Sequence, residues 1–152
     1  MEAPDTFPPL PSGAAASCKR VAIASVDIPG PYHGGGIGAA YHGLALELSA
    51  AGHQVTILYL HAQFPQGSPA EWTAYFRGRG IEFVHLPPKS RAVWYGNRKE
   101  DSLRCFEWLA RQAPFDVIHF PERSGLAYYP LLAKRQGLAF SRTVLCVGAY
   151  GP

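Results

Sequence analysis

Five short runs of aliphatic and β-branched residues recur along this chain: KRVAIASV from Lys19, VTILYL from Val55, IEFVHLP from Ile81, FDVIHF from Phe115 and RTVLCVGAY from Arg142. None alternates cleanly between apolar and polar positions. Each therefore reads as a strand buried on both faces rather than one with a wet side. Helical spacing fills the gaps. GAAYHGLALELSAAGHQ repeats apolar residues at Tyr41, Leu44, Ala45 and Leu48 and stops at Gly52. SPAEWTAYFRGRG has Pro69 near its first turn and glycines at its end.

NRKEDSLRCFEWLARQ opens with Asn97 and Glu100 at capping-box spacing, and its apolar face is expected at Leu103, Phe106, Leu109 and Ala110. SGLAYYPLLAKRQG holds Pro130 inside a helical pattern, which implies either a kink or a late start. Strands alternating with helices imply an α/β fold: a Rossmann-like parallel sheet with helices on both faces. Ligands of such sheets bind beyond the carboxyl ends of the strands.

Composition bounds the rest. A chain of 152 residues is long enough for one domain with a real core, and 47% hydrophobic with 16% charged residues is a globular balance. A net charge of +3 is too mild to argue for nucleic acid as a partner. Cys18, Cys105 and Cys146 are far apart, which excludes a CxxC zinc site and suits a reducing cytoplasm better than a disulfide scaffold. The start, MEAPDTFPPLPSGAAAS, lacks the basic and long apolar segments of a signal peptide and reads as a mobile Pro/Ala-rich leader over 1–17, with the domain proper over 18–152.

The first strand leads into PGPYHGGGIGAAYHG. Gly34 to Ala39 formally match G-x-G-x-x-[GA], but two features argue against a dinucleotide site. Eight residues separate Ser25 from Gly34, and the second strand ends ILYLHAQF without the acid that would hold a ribose. No Gly-Lys-Ser/Thr follows, so a P-loop is excluded. Glycines at the mouth of a helix still favour an anion, because free backbone amides and the helix dipole both point there. The competing reading is a turn whose glycines merely permit tight packing.

These residues carry a resemblance. The stretch from Lys19 to Leu60, through Gly35, Gly36, Ile37, Gly38, Leu44, Ala45, Leu48, Gly52, His53 and Val55, resembles the opening of family-4-type (group 1) glycosyltransferases of the GT-B fold. FDVIHFPERSGLAYYPLLAKRQGL resembles the fourth strand and following helix of the same domain, and the likeness extends to Pro152. It implies the N-terminal, acceptor-side domain of a two-domain enzyme. That enzyme retains anomeric configuration, needs neither metal nor cofactor, and takes a nucleotide-diphosphate sugar as co-substrate. The missing C-terminal Rossmann-like domain would hold most of the donor, and this chain alone is expected to be inactive. The acceptor would be a carbohydrate or a lipid-linked molecule, with the enzyme in the cytoplasm or at the cytoplasmic membrane face.

For site residues the resemblance implies a donor-diphosphate loop at Gly35, Gly36, Ile37 and Gly38. Where the family commonly has a His-Gly pair after the fifth strand, this chain has Tyr150 before Gly151. Tyr150 is therefore the catalytic candidate, able to hydrogen-bond a sugar hydroxyl while staying neutral. His33, Glu122 and Arg123 lie in loops at the ligand edge and are acceptor-side candidates, each weighed against a plain surface loop. His119 reads as a core histidine, His53 as a support for the helix-to-strand turn, and Asp27 as either a hydroxyl ligand or a turn former. Trp94 and Tyr95, between Arg91 and Arg98, suit a membrane surface or a sugar face, or equally a loop packing its own aromatics. A non-catalytic ligand-binding or assembly module remains the alternative function.

Overall fold

The computed structural model describes residues 17–31, 34–61, 64–87 and 98–150. The elements follow in the order β1 (Arg20–Ser25), α1 (Gly36–Ala50), β2 (Gln54–Tyr59), α2 (Pro69–Arg77), β3 (Ile81–His85), α3 (Arg98–Ala110), β4 (Val117–Pro121), α4 (Tyr128–Arg135) and β5 (Val144–Gly148). All five strands are parallel in the order β3-β2-β1-β4-β5. The expected α/β, Rossmann-like layer is therefore what the chain forms. The leader positions up to 16, His33, the Trp94–Tyr95 stretch and the Asn97 cap fall outside the described residues.

Two clusters, one on each face of the sheet, make the core. On one face Ile23, Val55, Ile57, Tyr59, Ile81 and Phe83 meet Tyr41 and Ala45 of α1 and Phe76 of α2. On the other, Ala22, Ala24, Leu58, Ile118 and Phe120 meet Cys105 and Leu109 of α3 and the start of α4. Both faces are apolar at β1 and β2, which read as continuous apolar runs, whereas β5 departs from the expectation of burial on both faces: it is an edge strand of the sheet, and its Val144 and Val147 are exposed. Asp116 accepts the Arg20 backbone N–H at 2.8 Å and sets β4 beside β1. His53 performs the role expected of it, its Nδ1 accepting the Lys19 N–H at 3.2 Å at the entry to β2.

Helix starts explain the loop geometry. Ser68 and Glu71 form a reciprocal capping box ahead of Pro69, so α2 begins sharply. α4 starts late, at Tyr128. Pro130 then lies in its first turn, where its missing N–H costs nothing.

α3 corrects the expectation for its apolar face. Leu103 is 37% exposed and Ala110 is exposed, whereas Asp101, Ser102, Arg104, Cys105 and Leu109 are buried. The reason is polar satisfaction. The Ser102 hydroxyl donates to Leu126 O at 2.9 Å and accepts the Tyr129 N–H at 3.0 Å, stitching α3 to the start of α4. Arg104 donates to Leu86 O at 2.7 Å, to Pro87 O and to the Asp101 carboxylate. These bonds compensate burial of the polar groups and rotate the helix away from its hydrophobic periodicity.

Candidate functional site

The chain changes direction across the sheet between β1 and β4, and the crevice that such sheets use for ligands is the one beyond the carboxyl ends of these two strands. The glycine loop leaves β1 on one side of it, and the PERSG turn leaves β4 on the other. β5, next to β4, brings Gly148 and Tyr150 to the same edge.

The glycine loop is organised by Asp27. The buried Ser25 hydroxyl accepts the Asp27 N–H at 3.0 Å and donates to Asp27 O at 2.9 Å, closing a tight turn. The Asp27 Oδ2 then accepts the Gly35 N–H at 3.1 Å. Asp27 is thus a turn former, and it takes one of the four backbone amides expected to face a diphosphate. The glycines divide accordingly. A Cβ at Gly38 would sit 2.6 Å from Asp27 Oδ1 and 2.8 Å from Asp27 O, so only glycine fits there, whereas a Cβ at Gly36 would meet open space. The packing reading therefore describes Gly38, while Gly36 is open to its surroundings.

α1 begins at Gly36 with Gly35 as a cap that has no side chain to offer. Ala39 N–H is the donor that bonds back to Gly35 O, at 3.1 Å, so Gly36, Ile37 and Gly38 present the first-turn amides. A helix start of this kind attracts negative charge.

Across the crevice, Glu122 and Tyr150 are brought together. Glu122 N–H donates to Gly148 O at 3.1 Å, and Glu122 Oε1 accepts the Tyr150 N–H at 3.2 Å. The turn that carries Glu122 and the exposed Arg123 is strained: Ser124 holds φ at 89°, a region L-residues avoid. His119, half-buried on β4, packs edge-on to Tyr41 with ring centroids 6.5 Å apart, and burial lowers its pKa.

Tyr41 links the two sides, and its periodicity hid that role, because it sits at a regular apolar position of α1. It is fully buried, yet its hydroxyl has no hydrogen-bond partner among the described residues. Its ring lies edge-to-face with Tyr150, centroids 5.4 Å apart. Burial first, then the adjoining Tyr150 side chain, hold its pKa above the ordinary tyrosine range, with the Gly148 backbone opposing the rise and Glu122 adding to it.

Among the described residues no group of three or more His, Cys, Asp or Glu side chains is placed to hold a metal ion. Among them, too, no helix is long and apolar enough to cross a membrane. Cys18, Cys105 and Cys146 are unpaired thiols.

A doubly wound parallel sheet with a glycine loop and an acidic turn flanking its switch point defines a Rossmann-like α/β domain. Residues 35–151 match the family model of the glycosyl transferase 4-like domain, which is most of the chain. The chain belongs to that family, as the resemblance implied, and glycosyltransferase function in general follows from the membership. The chain matches none of the curated proteins and none of the solved structures compared with it.

Proposed function

We propose that this chain is the N-terminal, acceptor-side domain of a retaining, metal-independent glycosyltransferase of the cytoplasm or its membrane face. The enzyme would transfer a sugar from a nucleotide-sugar donor to a carbohydrate or lipid-linked acceptor. The observation that carries the reading is the helix start at Gly36, Ile37 and Gly38, whose Gly35 cap offers no side chain and which lies at the switch point of the sheet. Breaking the bond between the anomeric carbon and the diphosphate oxygen leaves its electron pair, and so negative charge, on the departing diphosphate. Preorganised amides stabilise such charge without reorganisation. Glu122, Tyr150 and Arg123 would hold the acceptor, with Tyr150 donating to or accepting from a sugar hydroxyl. The second domain of the enzyme would supply the remaining donor contacts.

The test is sugar transfer by the enzyme that carries this domain, from a labelled nucleotide sugar in the presence of EDTA, with product configuration read by NMR. Transfer with retention supports the reading; loss of transfer in EDTA removes its metal-independent part, and no transfer without EDTA removes the whole.

One observation favours the alternative of a non-catalytic ligand-binding or assembly module: the Asp27 carboxylate already takes the Gly35 amide and sets a negative charge beside the loop. Titration of the chain with a nucleoside diphosphate separates the two. Amide shifts confined to Gly36, Ile37 and Gly38 favour the enzyme, and silence there favours the module.

A further inference from the structure

Tyr41 is the one fully buried tyrosine hydroxyl on this edge of the sheet that lacks a partner among the described residues. An uncompensated buried hydroxyl costs free energy, and phenylalanine would fill the same space without that cost. The surroundings are polar and close to solvent. Glu122 and the phenol both flank Gly148, whose carbonyl accepts the Glu122 N–H and whose Cβ, if present, would meet the Tyr41 hydroxyl, and His119 lies on the neighbouring strand. Tyr150, 45% exposed, covers the ring of Tyr41 from the outer side. Gly148 keeps the gap between the two rings: a Cβ there would lie 2.7 Å from Tyr150 Cε2 and 3.0 Å from the Tyr41 hydroxyl.

We propose that Tyr41 and Glu122 form a hydroxyl-recognising subsite at the β5 end of the crevice, shut in this structure by Tyr150 and opened when that ring swings outward. The ligand is a vicinal diol of a carbohydrate, one hydroxyl paired with the Tyr41 phenol and its neighbour with the Glu122 carboxylate. Glu122 can accept two hydrogen bonds at its second oxygen while its first keeps the Tyr150 amide. The choice of a carbohydrate rests on the glycosyltransferase reading; the orphan hydroxyl and the glycine gap do not. Tyr150 then acts as the movable cover of the subsite, and its backbone stays tied to Glu122.

The experiment uses the whole chain with ring-labelled tyrosine, titrated with methyl α-glucoside and with myo-inositol and followed by NMR. At least one probe is expected to shift the Tyr41 and Tyr150 ring signals. Tyr41→Phe should weaken that probe about fivefold or more, the loss of one hydrogen bond, while leaving Tm unchanged or raised. Gly148→Ala, which fills the gap, should abolish the Tyr41 response. Silence of Tyr41 toward both probes overturns the proposal. So does a lowered Tm or failure to fold in Tyr41→Phe, because the hydroxyl would then be satisfied inside the protein. If a probe binds at Tyr41 but the enzyme carrying this domain transfers no sugar, the subsite stands and the transferase reading falls. If transfer occurs and Tyr41 stays silent, the reverse holds.

Discussion

The backbone N–H of Tyr150 donates to Glu122 Oε1 at 3.2 Å, joining the exits of β4 and β5. This bond places Tyr150 against the acid of the PERSG turn. It makes the far wall of the crevice one unit rather than two loops.

Removing the acceptor should loosen that wall locally. In Glu122→Ala the Tyr150 amide is expected to exchange with solvent several-fold faster, while global stability changes by about 1 kcal/mol or less, as for one exposed hydrogen bond. Glu122→Gln, which keeps an acceptor oxygen, should restore slow exchange. Native-state hydrogen exchange measures both.

The glycine loop gives a contrast between two chemically identical substitutions. Gly38→Ala drives a methyl to within 2.6 Å of Asp27 Oδ1 and should destabilise by about 1–3 kcal/mol through forced backbone movement. Gly36→Ala meets open space at the first helical position and should be neutral or stabilising by up to about 1 kcal/mol. Urea denaturation of the two variants side by side checks the ordering.

α3 is held by a buried ion pair between Arg104 and Asp101, with further bonds from Arg104 to the β3 exit. Arg104→Met leaves Asp101 buried without its cation and should cost about 3–5 kcal/mol. Pairing it with Asp101→Asn should recover a large part of that loss, because no unpaired charge remains. Thermal unfolding of the single and double variants tests the coupling.

His42, His85 and His119 have pKa values held below the ordinary 6.5, in each case chiefly by burial, with Arg79 adding at His42 and Arg104 at His85. The native state therefore binds protons less readily than the unfolded chain at these positions. Stability should be greatest above about pH 6.5 and fall as pH drops from there toward the native pKa values, where the slope levels off. Urea midpoints across this range should show the decline, and His119→Gln should make it shallower.

Much of this protein is local and hence legible along the chain. Apolar runs such as VTILYL gave buried strands because both sheet faces are covered by helices. Tyr41, Ala45 and their spacing gave the inner face of α1. Pro69 marked the first turn of α2, and the structure adds the reciprocal cap of Ser68 and Glu71. α3 was legible as a helix but not in its rotation, because its buried face is set by hydrogen bonds to Leu86 and Leu126, far away in sequence.

The candidate site divides the same way. Of its ingredients, the glycines of the first loop and Glu122 could be chosen from residue type and position after a strand, and Tyr150 from the family resemblance. Their relations could not. That Asp27 takes the Gly35 amide, that Tyr150 and Glu122 are joined across 28 residues, and that Tyr41 is buried with an unpaired hydroxyl depend on where the strands lie. The sequence by itself determined the elements, since periodicity and turn chemistry act over a few residues. Only the tertiary structure decided which groups satisfy one another, because that depends on the order β3-β2-β1-β4-β5, set by packing between residues far apart in the chain.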